Sequence, residues 1–297
     1  GILTAIVFTV TGYINPTAGV LFPEQPASAL FGLRLLTGGF TALALVVAFI
    51  LLGGYRLHGA RAERVRAEAA ASPNVLELSL DAKAVIKVGE FSRYGVSRIL
   101  VFALDHDHGC EAKVTPYGIL LPAHKELTVY LATGPVTADF IVDRIEAWWG
   151  DHRARFPQVD TLVLLQDNGP ENQSRRTQFL ARIVAFAQAH QLNVRLAYYP
   201  PYHSKYNPVE RCWGVLEQHW NGSILDTVQT VMNFVQTMTW KGAAPIVELV
   251  TTTYAKGVSL TRAAMAKVEA QVRRMPGLEP WFVDILCAPK AVEGGDY

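Results

Sequence analysis

Thr161 to Gln166, TLVLLQ, constrains the fold more than any other stretch of this chain. It is a nearly continuous apolar run without the alternation of a strand that has one wet face. It therefore fits a strand buried on both sides. Such a strand lies inside a sheet covered by helices, and the neighbouring patterns supply them. Before it, Val136 to Arg155 has a helical apolar face made by Phe140, Ile141, Ile145 and Trp148. After it, a turn signal at Asp167-Asn168-Gly169 leads to a helical stretch, Arg176 to Gln191, and to a further strand, Val194 to Tyr199. Strands alternating with helices predict an α/β domain.

Upstream, Val75 to Val88 alternates. Leu76, Leu78 and Leu80 point one way, and Glu77, Ser79 and Asp81 the other, as in a half-buried strand. Short strands are expected at Ile99–Leu104, Tyr117–Leu121 and Leu127–Ala132, forming an antiparallel meander. The helix after the Tyr199 strand is expected to start with Asn207 as N-cap, Pro208 at its first position and Glu210 at its third. Val209, Trp213, Leu216 and Trp220 give it a buried face. Ile224 to Arg274 reads as mostly helical. One ring of the Trp148-Trp149 pair is expected in the core and the other near the surface.

The first seventy residues are of another kind. Leu35 to Gly54 is about twenty residues without a charge, enough to cross a bilayer core of roughly 30 Å. Arg34 precedes it, and Arg56, Arg61, Arg64 and Arg66 follow, which predicts a cytoplasmic C-terminal side. Gly1 to Val20 is also apolar, though broken by Gly12, Asn15 and Pro16, and reads as the tail of a longer segment rather than a signal peptide. A core helix under a large partner is the soluble alternative. Five arginines against three glutamates up to residue 74 leave 22 basic and 23 acidic groups beyond it, so any basic DNA-facing surface is local. Cys110, Cys212 and Cys287 read as reduced thiols, in keeping with a cytoplasmic soluble part.

Asp81, Asp167 and Glu210 fall at strand ends and a helix start, where ligand-binding groups of α/β sheets gather. Each also has a plain structural reading, as an exposed strand residue, a turn residue and a helix cap respectively. Converging, the three would repel one another unless a cation such as Mg²⁺ or Mn²⁺ neutralised them. Asp105-His106-Asp107-His108 reads as a polar strand end before a turn rather than a metal site.

The contexts of the three acids, LSLDAKAVIKVGEFSR, LVLLQDNGPEN and YYPPYHSKYNPVERCWGVLE, resemble the signature blocks of ISAzo-type insertion-sequence transposases, the Rhodopirellula transposase DDE family of RNase H-like enzymes. Further similar runs extend the resemblance over Asn74 to Asp284, with a spacing of 43 positions between the last two acids. It implies an RNase H-like mixed sheet flanked by helices. It also implies that Asp81, Asp167 and Glu210 bind two Mg²⁺ or Mn²⁺ ions for hydrolysis at transposon ends and strand transfer into target DNA. Asn168 and Gly169 would shape the loop beside Asp167. DNA contacts are expected from Lys83, Lys87, Asn168, His203, Lys205 and Asn207, the last three alternatively orienting the helix, and a homo-oligomer is a further expectation.

The apolar N-terminal part, with Thr11-Gly-Tyr, Gln25 and Ala29-Leu-Phe-Gly-Leu-Arg-Leu-Leu, resembles the C-terminal end of glycoside–pentoside–hexuronide:cation symporters of the major facilitator superfamily. Two helices' worth of a transporter cannot enclose a substrate cavity. The expected organisation is a transporter-like segment over 1–71 with a membrane helix at 35–54, a catalytic core over 72–222, and a mostly helical extension over 223–297. The transporter-like segment stands where relatives carry a DNA-binding region, as in a chimera. The competing expectation is an inactive, membrane-anchored remnant.

Overall fold

The computed structural model describes residues 2–53, 72–199 and 207–287, except 18, 21, 94, 98 and 107–109. The chain divides into two compact units, Gly1–His58 and Gly59–Tyr297.

The first unit contains α1 (Ile2–Thr11), α2 (Ala27–Arg34), one π-helical turn (Leu35–Gly39) and α3 (Phe40–Gly53). The Gln25 amide closes the turn between α1 and α2. It accepts from the Ile14 N–H at 3.0 Å and donates to the Ile14 carbonyl at 2.8 Å. Gly32 lets the two helices touch, since a Cβ there would lie 2.8 Å from Thr11 Cγ2. From Ala27 to Ile50 the chain is one helix with mean hydropathy 2.0, long enough to cross a membrane; Ala29 and Gly32 pack on α1, and its most apolar stretch is not buried. It begins eight residues before the expected span.

The second unit is built on a nine-stranded sheet. β1 (Val75–Ala82) and β2 (Ile86–Val88) both pair antiparallel with β3 (Ala112–Leu121), which forms a hairpin with β4 (Glu126–Ala132). α4 (Ala138–His152) crosses to β5 (Thr161–Gln166), parallel to β1. α5 (Thr177–His190) crosses to β6 (Asn193–Tyr198), parallel to β5. After α6 (Glu210–His219) and α7 (Val228–Thr237), β7 (Ile246–Val250) joins β4. α8 (Arg262–Glu269), β8 (Val272–Arg274) and β9 (Phe282–Ile285) then close the far edge beside β6. The order β7-β4-β3-β1-β5-β6-β9-β8 puts β1 and β5 in the middle, and the consecutive burial of Leu162 to Gln166 shows that the TLVLLQ strand is covered on both faces. This is the mixed sheet flanked by helices expected of an RNase H-like domain.

Strand alternation sorts the core into two layers. Leu78, Leu80, Ile119 and Tyr130 face α4 and α5, which contribute Phe140, Ile145, Trp148, Phe179 and Ile183. Val114, Leu120, Val129 and Leu131 face α6 and α7, which contribute Val209, Trp213, Leu216, Val231 and Val235. Burying each such side chain stabilises the fold by about 1.5–3 kcal/mol. Thr137 caps α4 by accepting from the Phe140 N–H at 3.3 Å.

Several expectations need correction. The second face of β1 is more covered than expected: Ser79 is fully enclosed, while Glu77 and Asp81 remain partly exposed. Ile99–Leu104 is not a strand; its large apolar side chains are exposed, and only Leu104 bridges to the sheet unit, at Phe91. Trp148 and Trp149 are both buried, because α4 is packed along most of its circumference. Residues 223–297 are not a mostly helical extension: β7, β8 and β9 come from this stretch and belong to the sheet itself.

Candidate catalytic site

The sheet brings two of the acids together. β1 and β5 pair in register from Val75↔Thr161 to Ser79↔Leu165. Continued by two residues, the same register sets Asp81 beside Asp167 at the C-terminal ends of neighbouring parallel strands. Both border one cavity of about 190 Å³, together with Tyr117 and the Gly169–Asn172 loop.

Glu210 arrives from the other direction, as the first residue of α6. The expected Asn207 cap does not form. Val209 is already helical, and no local side chain caps the helix. The bond is made from β1 instead. The Val209 N–H donates to Ser79 Oγ at 3.0 Å, and the Ser79 hydroxyl donates to Asn207 Oδ1 at 2.5 Å. Asn207 Nδ2 donates to the Leu80 carbonyl at 3.1 Å. Ser79 and Asn207 are both fully buried. This polar staple fixes the start of α6 against the strand that carries Asp81, two residues beyond Ser79.

A second link joins the same elements. Trp213 Nε1 donates to Asp81 Oδ2 at 2.7 Å. The indole reaches it across Gly118, which pairs with Asp81 on β3. A Cβ on Gly118 would lie 2.8 Å from both Trp213 Cη2 and Val209 Cγ2, so any side chain here would push α6 off the sheet.

Asp167 is exposed and is steered by its own loop. Asn172 Nδ2 donates to Asp167 Oδ1 at 3.0 Å, and Asn172 is in turn held by Tyr198, whose hydroxyl donates to its carbonyl at 2.7 Å. Asn168 Oδ1 accepts from the Ser174 N–H at 3.1 Å, folding the loop back. A Cβ on Gly169 would crowd both Asp167 oxygens, at 3.1 and 3.2 Å. Glu171 accepts from the Ala138 N–H and pairs with Arg176, tying the loop to the start of α4.

The electrostatics show that the acids sense one another. Burial pushes the Asp81 carboxyl up to about 7; the Trp213 hydrogen bond opposes this, and the charges of Asp167 and Glu210 add to it. No basic side chain is among the groups that perturb Asp81. Burial, then the charges of Asp81 and Asp167, likewise hold the Tyr117 phenol well above its ordinary range. A carboxylate perturbed by two others, and by no basic group among the described residues, is the environment a divalent ion relieves, and the donor set is one of hard oxygens. Among the described residues no three acidic, His or Cys side chains already form a cage.

The expected DNA contacts fare unevenly. Lys83 is a correction: its ammonium pairs with Glu217, its side chain is 11% exposed, and it lies over the Trp220 ring. Asn207 is another, because its buried amide is spent on β1. Asn168 and Lys87 are exposed, and Asn168 also shapes its loop. His203 and Lys205 lie outside the described residues, as do Asp107 and His108. Sequence reasoning missed Ser79, Trp213 and Asn172 as partners of the site. The NGPEN context offered a signal for Asn172. Nothing local pointed to Ser79.

A protein-family model described as the Rhodopirellula transposase DDE domain matches residues 62–287. The chain belongs to this family. No curated protein matches the chain. Four chains of solved structure match. A Mos1 transposase paired-end complex with left transposon end is 10% identical with a TM-score of 0.39, covering 58% of this chain and 49% of that one. The Mos1 mariner paired-end complex with Mn is 10% identical with a TM-score of 0.40, over 58% and 51%. A pre-cleavage Mos1 transpososome is 10% identical with a TM-score of 0.38, over 58% and 51%. The DDE-family chain thus spans about half the length of these transposase chains.

Proposed function

We propose that the second unit is the catalytic domain of an insertion-sequence transposase, with Asp81, Asp167 and Glu210 as the ligands of two Mg²⁺ or Mn²⁺ ions. The observation that carries this reading is that Asp81 and Asp167 line one cavity at neighbouring strand ends, with the charge of Glu210 on α6 also raising the Asp81 pKa, in a family defined by its DDE domain. When bound, the ions would make the attacking oxygen more nucleophilic and stabilise the leaving oxygen.

The chain's own residues do the positioning. Trp213 holds Asp81 in one rotamer. Asn172 holds Asp167. Ser79 and Asn207 set where Glu210 enters. In hydrolysis, a water oxygen bonds to phosphorus as the P–O3′ bond breaks, leaving a 3′-hydroxyl and a 5′-phosphate. In strand transfer, that 3′-hydroxyl replaces water and a target-strand 3′ oxygen leaves. DNA is therefore the partner, and exposed Asn168 and Lys87 stand as contacts for it, with His203 and Lys205.

Mn²⁺-dependent nicking and strand transfer by the purified chain test the proposal. Wild type gives product and Asp167→Ala gives none; equal product from both would refute the assignment.

A second reading is favoured by one feature, the apolar, largely uncovered helix from Ala27 to Ile50. In it the chain is a membrane-anchored remnant without activity, with the sheet unit on the cytoplasmic side. Sedimentation with membranes, resistant to high salt, together with no nicking, would support this over the enzyme.

A further inference from the structure

The loop that carries Asp167 is tied to the far edge of the sheet. Between β5 and α5 it runs without strand or helix, and Ser174 is the one buried residue of 167–176. The Ser174 N–H donates to Asn168 Oδ1 at 3.1 Å, next to Asp167 in the chain. The Ser174 carbonyl accepts from Arg274 Nη2 at 3.0 Å, across 100 positions of sequence. Arg274 ends β8, the outermost strand on this side of the sheet. Its remaining donors orient it. Nε donates to Glu269 Oε1 at 2.7 Å, Nη2 also reaches Glu269 Oε2 at 3.3 Å, and Nη1 donates to the Glu279 carbonyl at 3.4 Å. A planar guanidinium gripped from two sides presents a fixed N–H, which an ammonium on a flexible stem would not.

We propose that Arg274 is a positioning residue of the acid site: it locks the outer end of the Asp167 loop, as Asn172 and Tyr198 lock its inner end, so that Asp167 stands ready for a divalent ion. The proposal rests on the transposase reading of the acids. Asp167 is exposed and lies on a loop, so its carboxylate is placed only as well as that loop is held. A metal ligand must stay within about 0.5 Å of its productive position. At the inner end, Asn172 Nδ2 is shared between Asp167 Oδ1 and Gln166 Oε1, and the Tyr198 hydroxyl donates to the Asn172 carbonyl. Burial holds the Tyr198 phenol above its ordinary range, with the Gln166 side chain and the Arg274 charge opposing it, so the guanidinium acts on both ends of the loop. Without Arg274 the Ser174 carbonyl loses this donor and the Asn168–Ser174 tie rides on a looser segment. Ordering Asp167 then becomes a cost of metal binding. The β8–β9 edge is thereby a support of the site rather than a cover for β6.

The test compares the full chain with Arg274→Met, which keeps an aliphatic stem, by Mn²⁺ titration calorimetry without DNA and by amide hydrogen exchange. Arg274→Met is expected to bind Mn²⁺ about tenfold more weakly, the worth of one charge-assisted hydrogen bond, and to exchange faster over 167–176. Half-maximal nicking should need about tenfold more Mn²⁺, with the rate at saturating Mn²⁺ near that of wild type. Arg273→Ala, at the exposed neighbouring position of β8, should change neither reading. If Arg274→Met does not fold, Glu269→Ala, at an exposed position, frees the same guanidinium and should shift both readings in the same direction. Wild-type Mn²⁺ affinity or unchanged loop exchange in the folded variant would overturn the proposal, leaving Arg274 a brace between α8 and β8. An equal loss in Arg273→Ala would overturn it too, because any damage to that edge would then suffice. Asp167→Ala separates the two levels. If it binds Mn²⁺ and nicks DNA like wild type, the transposase reading falls; if it is dead while Arg274→Met matches wild type, only the role of Arg274 falls.

Discussion

The ends of β1 and β5 and the start of α6 position their carboxylates by different means. At the strand ends the sheet does the work: parallel register sets Asp81 beside Asp167, and the apolar core on both sides holds that register. At the helix start, a buried polar staple does it. Ser79 and Asn207 replace a local cap with bonds spanning some 130 positions of sequence. Carboxylates on neighbouring strands are robustly placed but electrostatically costly. The third is placed through a few hydrogen bonds, each of which can be removed singly.

The largest expected effect comes from the electrostatic cost at the strand ends. Asp81 has a folded-state pKa of about 7, raised above its unfolded value mainly by burial. Between the two values the native chain keeps a proton that the unfolded chain has released, so stability falls as pH rises through this window. Without divalent ions, denaturant melts from pH 4 to 7.5 should lose a few kcal/mol, about 4 at most. Mg²⁺ or Asp81→Asn should flatten the slope. An equal slope in Asp81→Asn would show that the strand ends carry no such cost.

Next in size, Asn207→Ala attacks the staple. It removes the acceptor of the Ser79 hydroxyl proton and the side-chain donor to the Leu80 carbonyl in the core, and should cost about 2–4 kcal/mol in chemical denaturation. Below its melting temperature, metal-dependent nicking should fall as well, because Glu210 is no longer held. Full activity in a folded Asn207→Ala variant would mean that the staple supports the fold but not the site.

The smallest effect is expected from Trp213→Phe, which keeps the packing over Gly118 and removes one donor to Asp81. That bond lowers the Asp81 pKa, so its loss should move the acidic limb of the pH–activity profile upward. Activity at neutral pH should fall about tenfold, with stability nearly unchanged. A profile that does not move would exclude Trp213 from the site.

The contrast also explains what could be read in advance. β5, its helices and the Asp167 turn were legible because an unbroken apolar run has few places to go. The three acids were legible only through their sequence contexts, since each alone has an ordinary structural role. The true start of α6 was hidden, because its cap comes from Ser79, far away in sequence. Lys83 looked like a DNA contact because its partner, Glu217, sits on a helix that no local pattern connects to β1. The C-terminal strands were missed for another reason. IVELV and FVDI are short pieces, at the edge and next to the edge, whose identity depends on the sheet they join. The Ile99–Leu104 run shows the converse, an apolar stretch that forms no strand, since only Leu104, at its end, bridges to the rest of the unit.

The central claim is that acids held in these two ways form one metal site. Mn²⁺ binding by isothermal titration calorimetry, on the full chain and on the Asp81→Ala, Asp167→Ala and Glu210→Ala variants, tests it most directly. Binding should be present in wild type and weakened at least tenfold by each substitution, including the one on α6. Wild-type Mn²⁺ affinity in a folded Glu210→Ala variant would contradict it.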